Sequence, residues 1–142
     1  MRIADVLRSK GSAVATITPQ TSVAGLLTEL AVHNIGAMVV VSPDGLAGIV
    51  SERDVVRALH RRGADLLTCP VSEIMTSLVA TCSPDDTVDS LSALMTNNRV
   101  RHVPVMDNGR LVGIVSIGDV VKTRMEELEA QQEQLQAYIT RG

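Results

Sequence analysis

Apolar and polar positions along this chain follow two periods, and the order in which those periods appear occurs twice. Residues 14–17 and 78–82 are short apolar runs ending at Thr18-Pro19 and Ser83-Pro84, where proline disfavours helix at the preceding residue, so each reads as a strand. Ser22 and Thr87 then stand as N-caps before apolar residues at Val23, Leu26, Leu27 and Leu30, and at Val88, Leu91, Leu94 and Met95, the spacing of a one-sided helix. Two apolar stretches follow in each half. Residues 37–41 and 46–50 flank Ser42-Pro43-Asp44-Gly45, while 102–106 and 111–115 flank Asp107-Asn108-Gly109-Arg110; both pairs predict hairpins. Ser51 and Ser116 open closing helices, Gly63 stops the first, and residues 63–70 read as a linker too short to separate independent domains. Each half is a βαββα unit.

The halves are copies. At an offset of 65, residues 15–57 pair with 80–122 without a gap, and fourteen of the 43 pairs are identical, densest at Gly48-Ile49-Val50-Ser51 against Gly113-Ile114-Val115-Ser116. Ile3-Ala4-Asp5-Val6-Leu7 also matches Val71-Ser72-Glu73-Ile74-Met75, once three extra residues around Lys10-Gly11-Ser12 are allowed for. The chain divides into a first repeat over 1–63, a second over 64–124 and a C-terminal helical extension over 125–142.

Composition narrows the function. With 45% hydrophobic and 20% charged residues among 142, the chain is of ordinary globular make-up, with no stretch apolar enough for a membrane span and no export signal at its start; cytoplasm is the expected compartment. A formal charge of −3, no Trp or Phe and a single tyrosine, Tyr138, argue against nucleic-acid binding by phosphate neutralisation or base stacking. Cys69 and Cys82 form neither a disulfide framework nor a metal-ligand spacing, so they read as reduced thiols and no metal is expected. A P-loop, Gly-x-Ser-x-Gly and His-Glu-x-x-His are all missing, which speaks against an enzyme.

Gly-Ile-Val-Ser-x-x-Asp, at 48–54 and again at 113–119, carries the candidate chemistry. It sets a glycine where backbone can approach closely, a serine at a strand-to-helix junction, and a carboxylate on the first helical turn. Such a carboxylate can accept from the two hydroxyls of a ribose, while the helix start favours phosphate oxygens. Ser-x-x-Asp is equally a capping box, and a single occurrence is explained by that alone. Recurrence at one phase of a duplicated unit favours a site.

These closures, the Thr18-Pro19 and Ser83-Pro84 strand exits, and Val100-Arg101-His102-Val103-Pro104-Val105 together resemble a tandem cystathionine-β-synthase (CBS) domain pair over residues 1 to about 124. The resemblance implies an α/β fold of two βαββα repeats packed sheet on sheet about a pseudo-two-fold axis. It also implies a disc-like homodimer and two clefts for AMP, ADP or ATP, with NAD and S-adenosylmethionine ranked behind them. Carried over by position, Asp54 and Asp119 hold ribose hydroxyls, with Ser51 and Ser116 near ribose or phosphate. Ala15, Thr16, Ala80 and Thr81 offer backbone to the adenine edge; Ile35, Ala37, Met38, Val100, Val103 and Pro104, with Gly36 among them, enclose the base. Arg53, Arg99, Arg101 and His102 supply positive charge for phosphate. Here the copies differ: Gly118 stands for Arg53, and Gly36-Ala37 for Arg101-His102, so unequal clefts are expected. Arg99 and His33 read as solvated charges at helix ends, and His60 beside Arg61-Arg62 as a cation favoured by a helix C-terminus.

Beyond the second repeat, Met125, Leu128, Gln132, Leu135 and Ile139 recur at intervals of three and four on what reads as a continuation of the last helix. Two heptads with a polar seam residue are too few for a strong coiled coil, so the extension is expected to pack across a dimer or against the module, or to pass ligand occupancy to a partner. The leading expectation is a nucleotide-sensing regulatory module acting on its own dimer or on an effector protein. The alternative is a structural dimerisation unit whose clefts hold no ligand.

Overall fold

The computed structural model describes residues 1–77 and 80–141. Its elements are α1 (Ile3–Lys10), β1 (Thr16–Ile17), α2 (Val23–His33), β2 (Ala37–Ser42), β3 (Gly45–Ser51), α3 (Glu52–Arg62), α4 (Val88–Asn98), β4 (His102–Asp107), β5 (Arg110–Ser116) and α5 (Ile117–Arg141). β1 pairs parallel with β2, which pairs antiparallel with β3. β4 and β5 form the matching hairpin. Of the second expected entry strand, residues 78 and 79 lie outside the described residues, but Cys82 takes the place of Ile17: it bridges Val105 in parallel, as Ile17 bridges Val40. Its N–H donates to the Pro104 carbonyl at 3.1 Å, and its own carbonyl accepts from Met106 N–H at 2.8 Å.

Local chemistry accounts for the boundaries. Ser22 Oγ accepts from Gly25 N–H at 3.0 Å and Thr87 Oγ1 from Ser90 N–H at 3.1 Å, capping α2 and α4 as expected. Both helices end in the left-handed region, at Asn34 (φ 52°) and at Arg99 (φ 54°). Asparagine suits that conformation and arginine does not. The second hairpin turns on Asn108-Gly109, both at positive φ, a type I′ turn; the first uses Pro43-Asp44 instead.

Two hydrophobic cores form, and each borrows a segment from across the division at residue 63. Ile3, Val6 and Leu7 of α1 pack with Val88, Leu91, Met95, Val103, Val105, Val115 and Val120 of the second repeat. Leu66 and Val71 pack with Val23, Leu26, Met38, Val40, Val50 and Val55 of the first. The expected linker is therefore structural: Gly63–Thr68 is a 3₁₀ turn, and Leu66 within it is fully buried. Its apolar residue repays more burial in the core than it loses in chain freedom.

α5 runs on from the second repeat without a break, as its spacing predicts, but buries only Val120 and Thr123. Met125, Leu128, Leu135 and Ile139 are 56–66% exposed, so this seam is not covered by its own module, while Glu127 on another face of the helix lies 3.8 Å from the N-terminal amine of Met1. No helix among the described residues is long and apolar enough to cross a membrane. The described residues contain no group of three or more His, Cys, Asp or Glu able to hold a metal. Both cysteines are free, and burial pushes the Cys82 thiol up to about 12, which leaves it protonated and inert.

Candidate functional site

Both Ser-x-x-Asp segments sit where a strand hands over to a helix. β3 ends at Ser51 and α3 begins at Glu52; β5 ends at Ser116 and α5 begins at Ile117. Asp54 Oδ2 accepts from Ser51 N–H at 2.8 Å and from Ser51 Oγ at 3.0 Å, while Asp54 N–H donates to Ser51 Oγ at 3.3 Å. Asp119 Oδ2 accepts from Ser116 N–H at 2.8 Å, and Asp119 N–H donates to Ser116 Oγ at 3.2 Å. Both aspartates thus do form capping boxes. Each uses one carboxylate oxygen for the purpose, and Oδ1 of each makes no hydrogen bond among the described residues. Both side chains are half-buried.

The paired glycines also acquire a reason. A Cβ on Gly48 would lie 2.5 Å from the Thr76 carbonyl oxygen, and one on Gly113 would lie 2.5 Å from Leu7 Cδ2. Close approach at these positions comes from the segment each repeat borrows, not from a ligand.

Strand alternation sorts the remaining candidates. Met38 (1% exposed) and Val103 (fully buried) belong to the two helix-packed cores. Their neighbours Ala37, His102 and Pro104 point to the opposite face, where the buried Val39 also belongs to neither core. Met38 and Val103 are therefore corrected from base-enclosing side chains to core residues, because consecutive strand residues cannot face one ligand. Ala15 and Ala80 are half-buried and Thr16 and Thr81 exposed just before or within the entry strands. Ile35 is 38% exposed and Val100 half-buried, each following a left-handed helix end.

Equivalent backbone bonds close the two copies. Glu52 N–H donates to the Gly36 carbonyl at 2.9 Å, and Ile117 N–H donates to the Arg101 carbonyl at 2.8 Å. The Glu52 carboxylate lies over Gly36, 3.3 Å from where a Cβ would stand. Arg53 and Arg101 are exposed and in no ion pair among the described residues. His102 faces Ser116 across the hairpin. Burial first, then the nearby Lys10, hold its imidazole below the usual histidine value against the pull of Asp119 and Glu52. At neutral pH it offers a ring N–H rather than a full charge. Arg99 is exposed at the end of α4, as a solvated charge is expected to be.

Sequence reasoning missed Lys10. From the last turn of α1 its ammonium donates to Asp119 Oδ2 at 2.6 Å and to the Ile114 carbonyl at 2.8 Å. Burial raises the Asp119 pKa, but the hydrogen bonds from Lys10 and from Ser116 N–H outweigh it, and the carboxyl titrates below the ordinary value. The available signal was the three-residue length difference between the copies, in which Lys10 stands.

Two βαββα copies whose strand-to-helix junctions carry paired Ser-x-x-Asp starts define a duplicated regulatory-domain fold. The CBS domain family matches residues 3–61 and again 71–126, and the chain belongs to that family as a CBS pair. It is 37% identical, over 99% of its length and 72% of the relative's, to the mitochondrial CBS domain-containing protein CBSX3 of Arabidopsis thaliana. Among solved structures it resembles a CBS-domain-containing protein of Agrobacterium tumefaciens (46% identity, TM-score 0.84, covering 87% of this chain and 99% of that one). It also resembles the CBS domain pair of protein MJ0100, solved in complex with 5′-methylthioadenosine and S-adenosylmethionine (27% identity, TM-score 0.80, covering 89% and 98%).

Proposed function

We propose that this CBS pair is a non-catalytic sensor that binds an adenine nucleotide, AMP, ADP or ATP, in clefts between its repeats and works as a homodimer on an effector protein. The observation that carries the reading is the twin half-buried carboxylate: each caps its own helix through Oδ2 and keeps Oδ1 for another donor. A ribose diol supplies that donor. Ser51 and Ser116 lie beside it, Ala15, Thr16, Ala80 and Thr81 offer backbone to the base, Ile35, Ala37, Val100 and Pro104 give apolar surface, and Arg53, Arg101 and His102 serve phosphate. The adenosyl ligands of the MJ0100 pair support the ligand class and bring S-adenosylmethionine level with the nucleotides. For the homodimer, the support is an outward apolar row of Ile117, Val121, Met125 and Leu128 on α5, with Val56 and Leu59 on α3. Sedimentation velocity is expected to give one species at twice the 15.1 kDa chain mass.

Titration calorimetry with AMP, ATP and S-adenosylmethionine tests the sites. Asp54→Asn and Asp119→Asn keep an oxygen for the cap but lose the charge, and each is expected to weaken binding about tenfold at its own cleft. Unaltered affinity in both variants would refute the ribose role of the two aspartates, and absence of binding by all three ligands to the unsubstituted chain would leave the structural dimerisation unit as the better description.

A further inference from the structure

Lys10 and Asp119 are separated by 109 residues in sequence, yet they form an ion pair in which the side chains are only 32% and 22% exposed. Among the described residues the first cleft has no counterpart: there Asp54 Oδ2 takes a hydroxyl of Ser51, which can rotate away, in place of an ammonium. When the two hydroxyls of a sugar diol take one carboxylate oxygen each, the first falls on the free Oδ1 and the second on Asp119 Oδ2, which already receives Ser116 N–H and Lys10. A ribose entering here must displace the ammonium, and a half-buried ammonium without an anion is costly. A ligand that carries its own anion beside the ribose removes that cost.

We infer that Lys10 determines the ligand specificity of the second cleft, opposing neutral nucleosides and admitting nucleoside 5′-phosphates, whose phosphate receives the ammonium when the ribose takes the carboxylate. This rests on the ribose role proposed above for Asp119. It gives the two clefts different rules: the Asp54 side has no such gate, and Ala37 stands there where the second copy has His102.

The test is calorimetry of adenosine and AMP on the full chain carrying Asp54→Asn, with and without Lys10→Met, which keeps the unbranched apolar stem. The two ligands should move in opposite directions: AMP is expected to weaken about tenfold and adenosine to tighten about threefold, since it no longer competes with a cation. Parallel changes, or none, overturn the inference. Asp119→Asn in the same background separates the two levels. If it leaves AMP affinity unaltered, the ribose assignment fails and the Lys10 inference with it; if it weakens AMP while Lys10→Met shows no crossed effect, only the Lys10 inference falls.

Discussion

Replacing Gly48 by alanine is expected to cost clearly more stability than the same change at its duplicate, Gly113, although the two stand in identical Gly-Ile-Val-Ser contexts. At Gly48 the new methyl would sit 2.5 Å from the Thr76 carbonyl oxygen and 3.1 Å from Met75 Sδ. Backbone cannot rotate aside. That carbonyl accepts Ile49 N–H at 3.1 Å, and Thr76 N–H returns a bond to the Ile49 carbonyl at 2.9 Å. Pushing the segment out weakens both, at about 1 kcal/mol each, and overpacking adds about 1 kcal/mol or more, for about 3 kcal/mol in all. The smaller freedom of alanine in the unfolded chain returns about 0.5 kcal/mol of that. At Gly113 the clash is with Leu7 Cδ2 at 2.5 Å and Cδ1 at 3.0 Å, the mobile end of a side chain that is 8% exposed. A rotamer change relieves it for about 1 kcal/mol. Urea denaturation followed by circular dichroism gives both midpoints at an unchanged slope. A Gly48→Ala midpoint equal to or above that of Gly113→Ala would refute the account of why these glycines recur.

Arg99→Asn relieves a non-glycine residue held at φ 54° and matches the Asn34 end of the first copy, so it should stabilise the fold by about 0.5–1 kcal/mol, seen as a melting temperature raised by about 2–4 °C; no gain in calorimetry would contradict the strain. His102 gives a pH dependence of known sign. Because burial and Lys10 lower its folded pKa below 6.5, its contribution is whole above pH 6.5 and is lost as pH falls from there through the folded value, where the unfolded chain binds a proton that the fold resists. His102→Ala should flatten the urea midpoint against pH in that window, and an unaltered slope would show that the imidazole is not withdrawn from water. Asp119, held below 3.8, adds stability that is present above that value and lost as pH falls through the lower folded one; Lys10→Met should move its carboxyl resonance titration upward.

What the sequence disclosed and what it hid follow from the range of the interactions concerned. Strand exits, N-caps, hairpins and the Ser-x-x-Asp boxes are made within a few residues, so Ser22, Thr87, Ser51 and Ser116 act as their local patterns predict. Duplication sharpened each signal, since two copies in one register exclude coincidence. Met38 and Val103 show a different failure. The period of two is visible in the sequence, yet the resemblance sets Ala37 with Met38, and Val103 with Pro104, around one base, whereas a strand shows only alternate side chains to one face.

Long-range packing left no local trace. That α1 joins the second core and Leu66 the first depends on where the chain returns in space, and an apolar residue in a supposed linker was the one hint. Lys10 belongs to the same class, and it bears most on function. A duplicated motif builds two clefts from one template, so differences between them have to enter through residues that the duplication does not align. The extra stretch at Lys10-Gly11-Ser12 is such an entry point: it ends α1 with Gly11 at φ 95° and leaves a lysine on the final turn, level with the aspartate of the other repeat. Asymmetry between the clefts then needs no change in the Gly-Ile-Val-Ser-x-x-Asp motif itself. In a CBS pair, the residues to compare when asking which ligand each cleft prefers are those where the two copies differ in length.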